Sequence, residues 1–191
     1  SKFLWLMLSQ KECSNDIMDL GRHVLKRQEV AYEKEEDQYA EETERLKTLP
    51  KAFTDGSWSV EDIEWIIRWK SSRSIGYFER NDREDVTQHI NGALAADRVS
   101  EKVAILTELD GVQIRMASAI LLFVNPDRFT VLDWRAWDVL YENGHLLDEM
   151  PDNPSVEDYL LYLGACWAIA NEYDVSLRTL DMALWALGGD E

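Results

Sequence analysis

Apolar residues recur at helical spacing along most of this chain. In residues 16–48 they lie three, four and seven positions apart, which predicts one long N-terminal helix capped by Asn15 or Asp16. The pattern thins through a charged run at 33–37, so we expect solvent on most sides of that part. Polar residues occupy the companion heptad positions, which favours a packed or protruding helix over a coiled coil. Pro50 and residues 54–57 are predicted to end it.

The rest of the chain reads as a series of shorter helices with local start signals. Residues 116–124 are almost entirely apolar and predict a central helix that is buried on most sides. Residues 129–132 are compatible with a brief extended segment, and no stretch shows strand alternation, so the predicted fold is all-α. The other predicted helix starts are Ser59 and Ser155, both in capping boxes, and Asn81, Ser100, Asp133 and Ser176.

Composition narrows the class of protein. The formal net charge is −17, whereas proteins that bind nucleic acid usually present a basic face to the phosphates. The acidity fits either a high-salt cytoplasm or a partner other than nucleic acid, and a local basic patch is compatible with both. No apolar run approaches the roughly 20 residues of a membrane span. The run at 3–8 is short and lacks a cleavage site, so we expect a cytoplasmic protein without a membrane partner.

Metal and cofactor motifs are not evident in the sequence. Cys13 and Cys166 stand far apart and form no CxxC pair, which argues against a zinc or iron–sulfur site. His23, His89 and His145 have no metal-ligand spacing. There is no nucleophile elbow and no glycine-rich phosphate loop. We therefore expect no metal and no cofactor.

The most suggestive segment is a predicted helical hairpin over residues 105–124. One helix is expected to end at Gly111, and after a turn of two or three residues a helix rich in apolar and small residues begins. Backbone N–H groups at such a helix start can bind phosphate without a cationic side chain. Gly111, Val112, Gln113 and Arg115 are the candidate contacts to a DNA backbone.

Residues 109–117, followed by 129–133, resemble the helix-hairpin-helix DNA glycosylase superfamily. That family carries a Leu-Pro-Gly-Val-Gly type of hairpin, an alanine-rich helix and an aspartate a short distance downstream. From about Trp58 to Gly188 the chain is similar to an uncharacterised group related to that superfamily. The stretches that carry this second likeness are 69–73, 117–121 and 177–185. The resemblance implies two units, an N-terminal helical extension at 1–50 and a glycosylase-like domain at 51–191.

The resemblance also implies a function, namely base excision from duplex DNA with a damaged or flipped base. The hairpin would hold the DNA backbone while a nucleotide turns into a pocket. Asp133, as a carboxylate, would stabilise the oxocarbenium-like sugar and orient water. Arg115 takes the place of the lysine nucleophile of bifunctional members, and arginine forms no Schiff base. A monofunctional glycosylase is therefore expected.

Two departures from the family pattern favour a different function. Gln113 replaces the second glycine of the hairpin, and Asp110 would repel phosphate. They permit an inactive binding or protein-interaction module, which would contact a protein partner through the acidic N-terminal helix. An acidic mimic of DNA is a third, weaker hypothesis.

Several candidate residues also have ordinary structural interpretations. Asp133 can be a plain helix cap, which is compatible with a catalytic role. Trp69, Lys70 and Arg73 form a basic and aromatic segment that suits DNA contact, or the solvated end of a helix. Two further residues adjoin Asp133 and are candidates for lining a pocket, Trp134 and Arg135. Arg178 and Asp181 are expected to form an ordinary intrahelical pair.

Overall fold

The structure is a computed structural model that describes residues 18–35 and 37–189. Within these ranges it contains helices and loops but no β-strand, as the periodicity predicts. No helix in the described ranges is long and apolar enough to cross a membrane. A 3₁₀ turn, Ser72–Ser74, follows the third helix. The helices are α1 Arg22–Glu35, α2 Tyr39–Asp55, α3 Val60–Ser71, α4 Ile75–Phe78, α5 Arg83–Ala95, α6 Val99–Leu106, α7 Ile114–Val124, α8 Trp134–Glu142, α9 Val156–Tyr173 and α10 Leu177–Leu187.

Helix α7 is the centre of the core. Its residues 116–123 are all buried, and α2, α3, α6 and α9 pack around it. Trp65 and Trp69 of α3 each meet the ring of Phe123 edge-to-face, with centroids 5.3 and 5.0 Å away. Helix α10 packs against α1 on one side and α8 on another. The predicted central helix is therefore confirmed, and it carries the hairpin at its N-terminus.

Most of the predicted helix starts are confirmed by the capping geometry. Ser59 and Ser155 each form a complete capping box, and the side chains of Asp133 and Ser176 accept hydrogen bonds from the first turns of α8 and α10. The start predicted at Ser100 is wrong, because α6 begins one residue earlier. The start at Asn81 is also wrong, since α5 begins at Arg83.

The single long helix predicted over residues 16–48 is wrong where the structure describes it. The chain forms α1 and α2 with a turn between them, at Asp37 and Gln38. The hydroxyl of Tyr32 on α1 donates to a carboxylate oxygen of Glu42 on α2 at 2.9 Å. Residues ten apart in one straight helix lie about 15 Å apart along its axis, so this contact requires the turn. The predicted cap at Asn15 or Asp16 lies outside the described residues.

The predicted stretch 54–57 does end the second helix, whereas Pro50 does not. It lies inside α2, which continues to Asp55 and ends at Gly56 in the left-handed conformation (φ 78°). Leu49 and Phe53 are buried on either side of the proline. Their packing offsets the backbone hydrogen bond that proline cannot make.

Candidate functional site

The hairpin joins α6 to α7, but its connection is longer than predicted. Helix α6 ends at Leu106 rather than at Gly111, and residues 107–113 form the connection. Gly111 has a φ of 78°, and a β-carbon placed on it would lie 2.7 Å from the backbone nitrogen of Phe78. The turn therefore packs backbone against backbone on α4, which only glycine permits.

The side chain of Asn81 holds this turn. Its Oδ1 accepts from the backbone N–H of Asp110 at 2.9 Å, and its Nδ2 donates to the carbonyl of the same residue at 2.9 Å. The Nδ2 group also donates to the carbonyl of Phe78 at 2.7 Å. The sequence pattern suggested a helix start at this asparagine, whereas its role is to tie the hairpin to α4.

A groove of about 830 Å³ runs between the hairpin and the end of α3. Its charged lining comprises three cations, Lys70, Arg73 and Arg115, against two carboxylates, Asp110 and Asp133. Arg73 is exposed and Arg115 half-buried, and neither forms an ion pair with a described residue. The groove is thus locally cationic although the chain is strongly acidic.

The other hairpin candidates differ in exposure. Gly111 and Gln113 line the groove, and the Gln113 side chain is exposed there. Val112 also contributes to the groove wall, but it is buried and belongs to the core. Trp134 lines the groove on the side of Asp133. The candidates therefore fall into a surface group and one core residue.

Asp133 caps α8 and also faces the groove. Its Oδ1 accepts from the N–H of Arg135 at 3.0 Å, and its Oδ2 accepts from Lys70 Nζ at 3.1 Å. The side chains of this pair are 17% and 16% exposed. The preceding residue is fixed to the core helix, because the N–H of Leu132 donates to Ser118 Oγ at 2.8 Å. Helix α7 thus positions the carboxylate.

A second cavity, of about 180 Å³, lies behind the same ion pair. Lys70 and Asp133 line both spaces, so their pair forms part of a wall common to the groove and the cavity. Drug-sized ligands occupy roughly 300–1,000 Å³, so this cavity suits one small ring system. Its remaining lining residues are Tyr32, Gln38, Trp69, Val131, Arg178, Asp181 and Trp185.

The base of the cavity is a buried network centred on Glu42, which is 0% exposed. Its carboxylate accepts from Trp69 Nε1 at 2.9 Å, from the Tyr32 hydroxyl and from the Arg178 guanidinium. The same guanidinium donates to Asp181, three residues along α10. The predicted pair of Arg178 and Asp181 exists, but it is part of the cavity rather than an ordinary surface pair.

This network leaves one buried donor without a partner. The Nε atom of Arg178 has no hydrogen-bond acceptor among the described residues. A buried donor without an acceptor costs about 1–3 kcal/mol, and a polar ligand, water or ion beside it would remove that cost. The Nε donor therefore favours a polar occupant next to Arg178.

Burial raises the pKa of Asp181 above its ordinary value, and the nearby charge of Asp133 raises it further. Arg178 and Lys70 act in the opposite direction without cancelling the effect. Because the folded-state pKa exceeds the unfolded one, this group's contribution to stability is greatest at low pH. It is lost as the pH rises through the folded pKa.

We expect Asp181→Asn to become progressively more favourable to stability, relative to the wild type, as the pH rises above about 4. The amide does not titrate, so the variant escapes the desolvation penalty of the ionised carboxylate. Urea unfolding of both proteins from pH 4 to pH 9 measures the difference in free energy of unfolding. A difference that stays constant across this range would contradict the raised pKa.

Arg135 lines neither the groove nor the cavity, and it packs on two aromatic rings that do, Trp134 and Trp185. Its guanidinium carbon lies 4.6 Å from the ring centroid of Trp185 and 5.6 Å from that of Trp134. Gly188, just after α10, packs on its backbone so closely that a β-carbon there would lie 2.6 Å from Arg135 Cβ. Arg135 thus joins the ends of α8 and α10 beside the cavity.

Comparisons with protein-family models, curated proteins and solved structures find no match. Within the described residues, no group of three or more His, Cys, Asp or Glu side chains is arranged to hold a metal ion. The geometry of the groove and cavity is therefore the basis for a function.

The structure brings together most of the residues that the sequence singled out, and it adds others. Lys70, Arg73, Arg115, Asp133 and Trp134 meet at the groove, while Trp69 reaches the cavity. No local sequence signal marks the N-terminal and C-terminal residues that line the cavity, which are Tyr32, Gln38, Asp181 and Trp185. The same holds for Glu42, which does not line the cavity but holds its Arg178.

Proposed function

We propose that this protein is a monofunctional DNA base-excision glycosylase related to the helix-hairpin-helix superfamily. The observation that carries the proposal is the position of the Lys70–Asp133 pair, which lines both a cationic groove and a small aromatic cavity. A duplex backbone would occupy the groove, and a flipped base would pass the pair into the cavity. Asp133 would then lie beside the sugar, between the two spaces.

In the proposed reaction, the bond between C1′ and the base nitrogen breaks, and its electron pair leaves with the base. The Asp133 carboxylate stabilises the positive charge that develops on the sugar. Water adds to C1′ and gives up a proton, so the products are an abasic site and the free base. Asp133 is half-buried, with its second oxygen held by Lys70, which fixes its orientation.

The cationic side chains support a hydrolytic rather than a lyase reaction. Arg115 stays protonated and cannot attack an aldehyde. Lys70 is ion-paired with Asp133, and an ammonium has no lone pair for attack. Neither side chain is therefore arranged to form an imine with the abasic product, which favours a monofunctional enzyme.

Backbone binding is proposed for the hairpin and the two arginines without ion pairs. Both arginines line the groove. Arg73 follows α3, and Arg115 lies in the first turn of α7. Each can neutralise a phosphate without first breaking a protein ion pair. Asp110 lies on the same rim and opposes binding, so we expect modest affinity that depends on salt.

Fluorescence-anisotropy titrations with two short duplexes test the proposal, one intact and one with a tetrahydrofuran abasic analogue. We expect tighter binding of the abasic duplex, because its unpaired position costs less to flip. Asp133→Asn is expected to alter this preference, since the carboxylate lies where the sugar would sit. No binding at either low or high salt would overturn the glycosylase proposal.

Charge-matched arginine variants show whether the groove is the binding surface. Arg73→Gln and Arg115→Gln are each expected to weaken binding of both duplexes. Each should also reduce the slope of log affinity against log salt concentration by about one. Arg98→Gln makes the same change in charge at an exposed position outside the groove. Equal losses for all three variants would mean that only the net charge matters.

A binding module without hydrolysis is the alternative that one observation favours. Both carboxylate oxygens of Asp133 already accept hydrogen bonds, which leaves less capacity to activate water. Such a module would bind the abasic duplex but release no base from any damaged duplex. Chromatographic detection of free base after long incubation separates the two functions.

A further inference from the structure

We propose that Asp181 is a second catalytic residue of this site, the general acid that protonates the base as it leaves. The substrate class is then a neutral base that has an acceptor ring nitrogen. This inference rests on the proposed glycosylase function and extends it from the sugar to the base.

Asp181 lies in the wall of the cavity that would receive the flipped base. Its side chain is only 5% exposed, and it lines the 180 Å³ cavity behind the Lys70–Asp133 pair. The Oδ2 atom accepts a hydrogen bond from Arg178. In the proposed complex, a base in the cavity meets the other carboxyl oxygen, Oδ1.

The two carboxyl groups, those of Asp133 and Asp181, have different surroundings. Asp133 accepts hydrogen bonds from an ammonium and a backbone N–H, which suits a carboxylate. Burial raises the pKa of Asp181, which favours its protonated form. A neutral carboxylic acid beside an ionised carboxylate is the arrangement that divides acid and stabilising roles in one active site.

Charged and titratable groups on the neighbouring elements act on Asp181 in both directions. Arg178 and Lys70 favour its ionised form, whereas Asp133 disfavours it. Glu42 competes for the guanidinium of Arg178, because both carboxylates accept from that group. The phenol of Tyr162 and the thiol of Cys166 on α9 lie nearby, and burial keeps both neutral by raising the pKa of each.

The proposed step breaks one bond, between C1′ and the base, and moves one proton to the leaving base. The proton on Asp181 moves to a ring nitrogen of the base while the C1′–N bond breaks and its electrons remain on the base. Asp133 stabilises the sugar cation, water adds to C1′, and the released proton passes to the Asp133 carboxylate. Exchange with solvent then returns Asp133 and Asp181 to their starting protonation states. No oxidant, reductant or metal is required.

The dependence on the leaving base distinguishes this role from a structural one. A neutral base departs as an anion unless it receives a proton, so it needs a general acid. A base that already carries a positive charge departs as a neutral molecule and needs none. Loss of Asp181 should therefore affect the two kinds of base unequally.

The test is single-turnover excision from two duplexes, one with hypoxanthine, which is neutral, and one with 7-methylguanine, which is cationic. Asp181→Asn is expected to slow release of hypoxanthine by about 10²–10⁴-fold. Release of 7-methylguanine is expected to fall by less than about 10-fold, since general-acid catalysis contributes nothing there. The wild-type rate for hypoxanthine should fall as the pH rises, and that fall should be absent in the variant.

Glu42→Gln is the matched control. It disturbs the same Arg178 network, but Glu42 does not line the cavity. We expect it to slow release of hypoxanthine far less than Asp181→Asn does, because Asp181 keeps its carboxyl group. Circular dichroism and thermal unfolding of each variant confirm that the compared proteins are folded.

Each outcome bears on a distinct claim. If Asp181→Asn slows the release of both bases equally, or of neither, the general-acid role is wrong while the glycosylase function stands. If the wild type releases neither base, the glycosylase function fails, and the general-acid role fails with it. Titration of the Asp181 carboxyl carbon by NMR gives a readout that does not depend on activity. An ordinary pKa there would overturn the inference in either case.

Discussion

Gly111→Ala is expected to lower the free energy of unfolding by about 2–5 kcal/mol. Alanine must adopt a φ of 78°, which L side chains rarely occupy. Its β-carbon would also lie 2.7 Å from the nitrogen of Phe78 and 3.0 Å from the carbonyl oxygen of Ser74. These are backbone atoms, which cannot move without shifting α4. Urea unfolding at neutral pH measures the loss.

Gly144→Ala separates the two causes of this loss. Gly144 has a φ of 76°, almost the same as that of Gly111, but nothing lies within 4 Å of the position of its β-carbon. Gly144→Ala should therefore lower the free energy of unfolding by only about 1–3 kcal/mol, the cost of the left-handed conformation. An equal loss in both variants would mean that the hairpin does not pack tightly on α4.

Arg178→Met is expected to destabilise the protein by about 3–5 kcal/mol at neutral pH. The substitution removes the charge that Glu42 and Asp181 share, and it leaves two carboxyl groups buried without a guanidinium. A buried carboxylate without its guanidinium partner costs less once it is protonated, so the loss should be smaller near pH 4. Urea unfolding at pH 4 and pH 7 measures both values.

Two further variants test whether the network is the cause. Arg98→Met changes an exposed arginine in the same way and should cost less than about 0.5 kcal/mol. Adding Glu42→Gln to Arg178→Met should recover part of the loss, since it removes a buried carboxylate that the first substitution leaves without a guanidinium. Independent, additive effects of these two substitutions would show that they do not interact.

The sequence predicted local features well where a signal spans three or four residues. Capping boxes at Ser59 and Ser155 depend only on a hydroxyl and a carboxylate three positions later, so they form as expected. Asp133 was identified both as a cap and as a candidate for the site, and the structure places it at a groove. Local chemistry is sufficient for such predictions.

Features that depend on distant contacts were missed. The apolar periodicity predicts that the first helix continues through residues 37 and 38. No local signal shows that Tyr32 contacts Glu42, which requires a turn there. Pro50 carries a strong local stop signal, yet core packing on both sides overrides it. The cavity was missed for the same reason, since a sequence does not reveal which glutamate among many is buried.

The Glu42–Arg178 contact joins residues 136 positions apart, near opposite ends of the described chain. Closing so long a loop costs entropy before any contact compensates it, and distant pairings slow folding. The cavity is therefore complete only when both ends of the chain have folded back. A nascent chain that still lacks α10 would have the hairpin and its arginines but no base for the cavity. Under the proposed glycosylase function, such a chain would bind a DNA backbone but would excise no base until α10 completes the cavity.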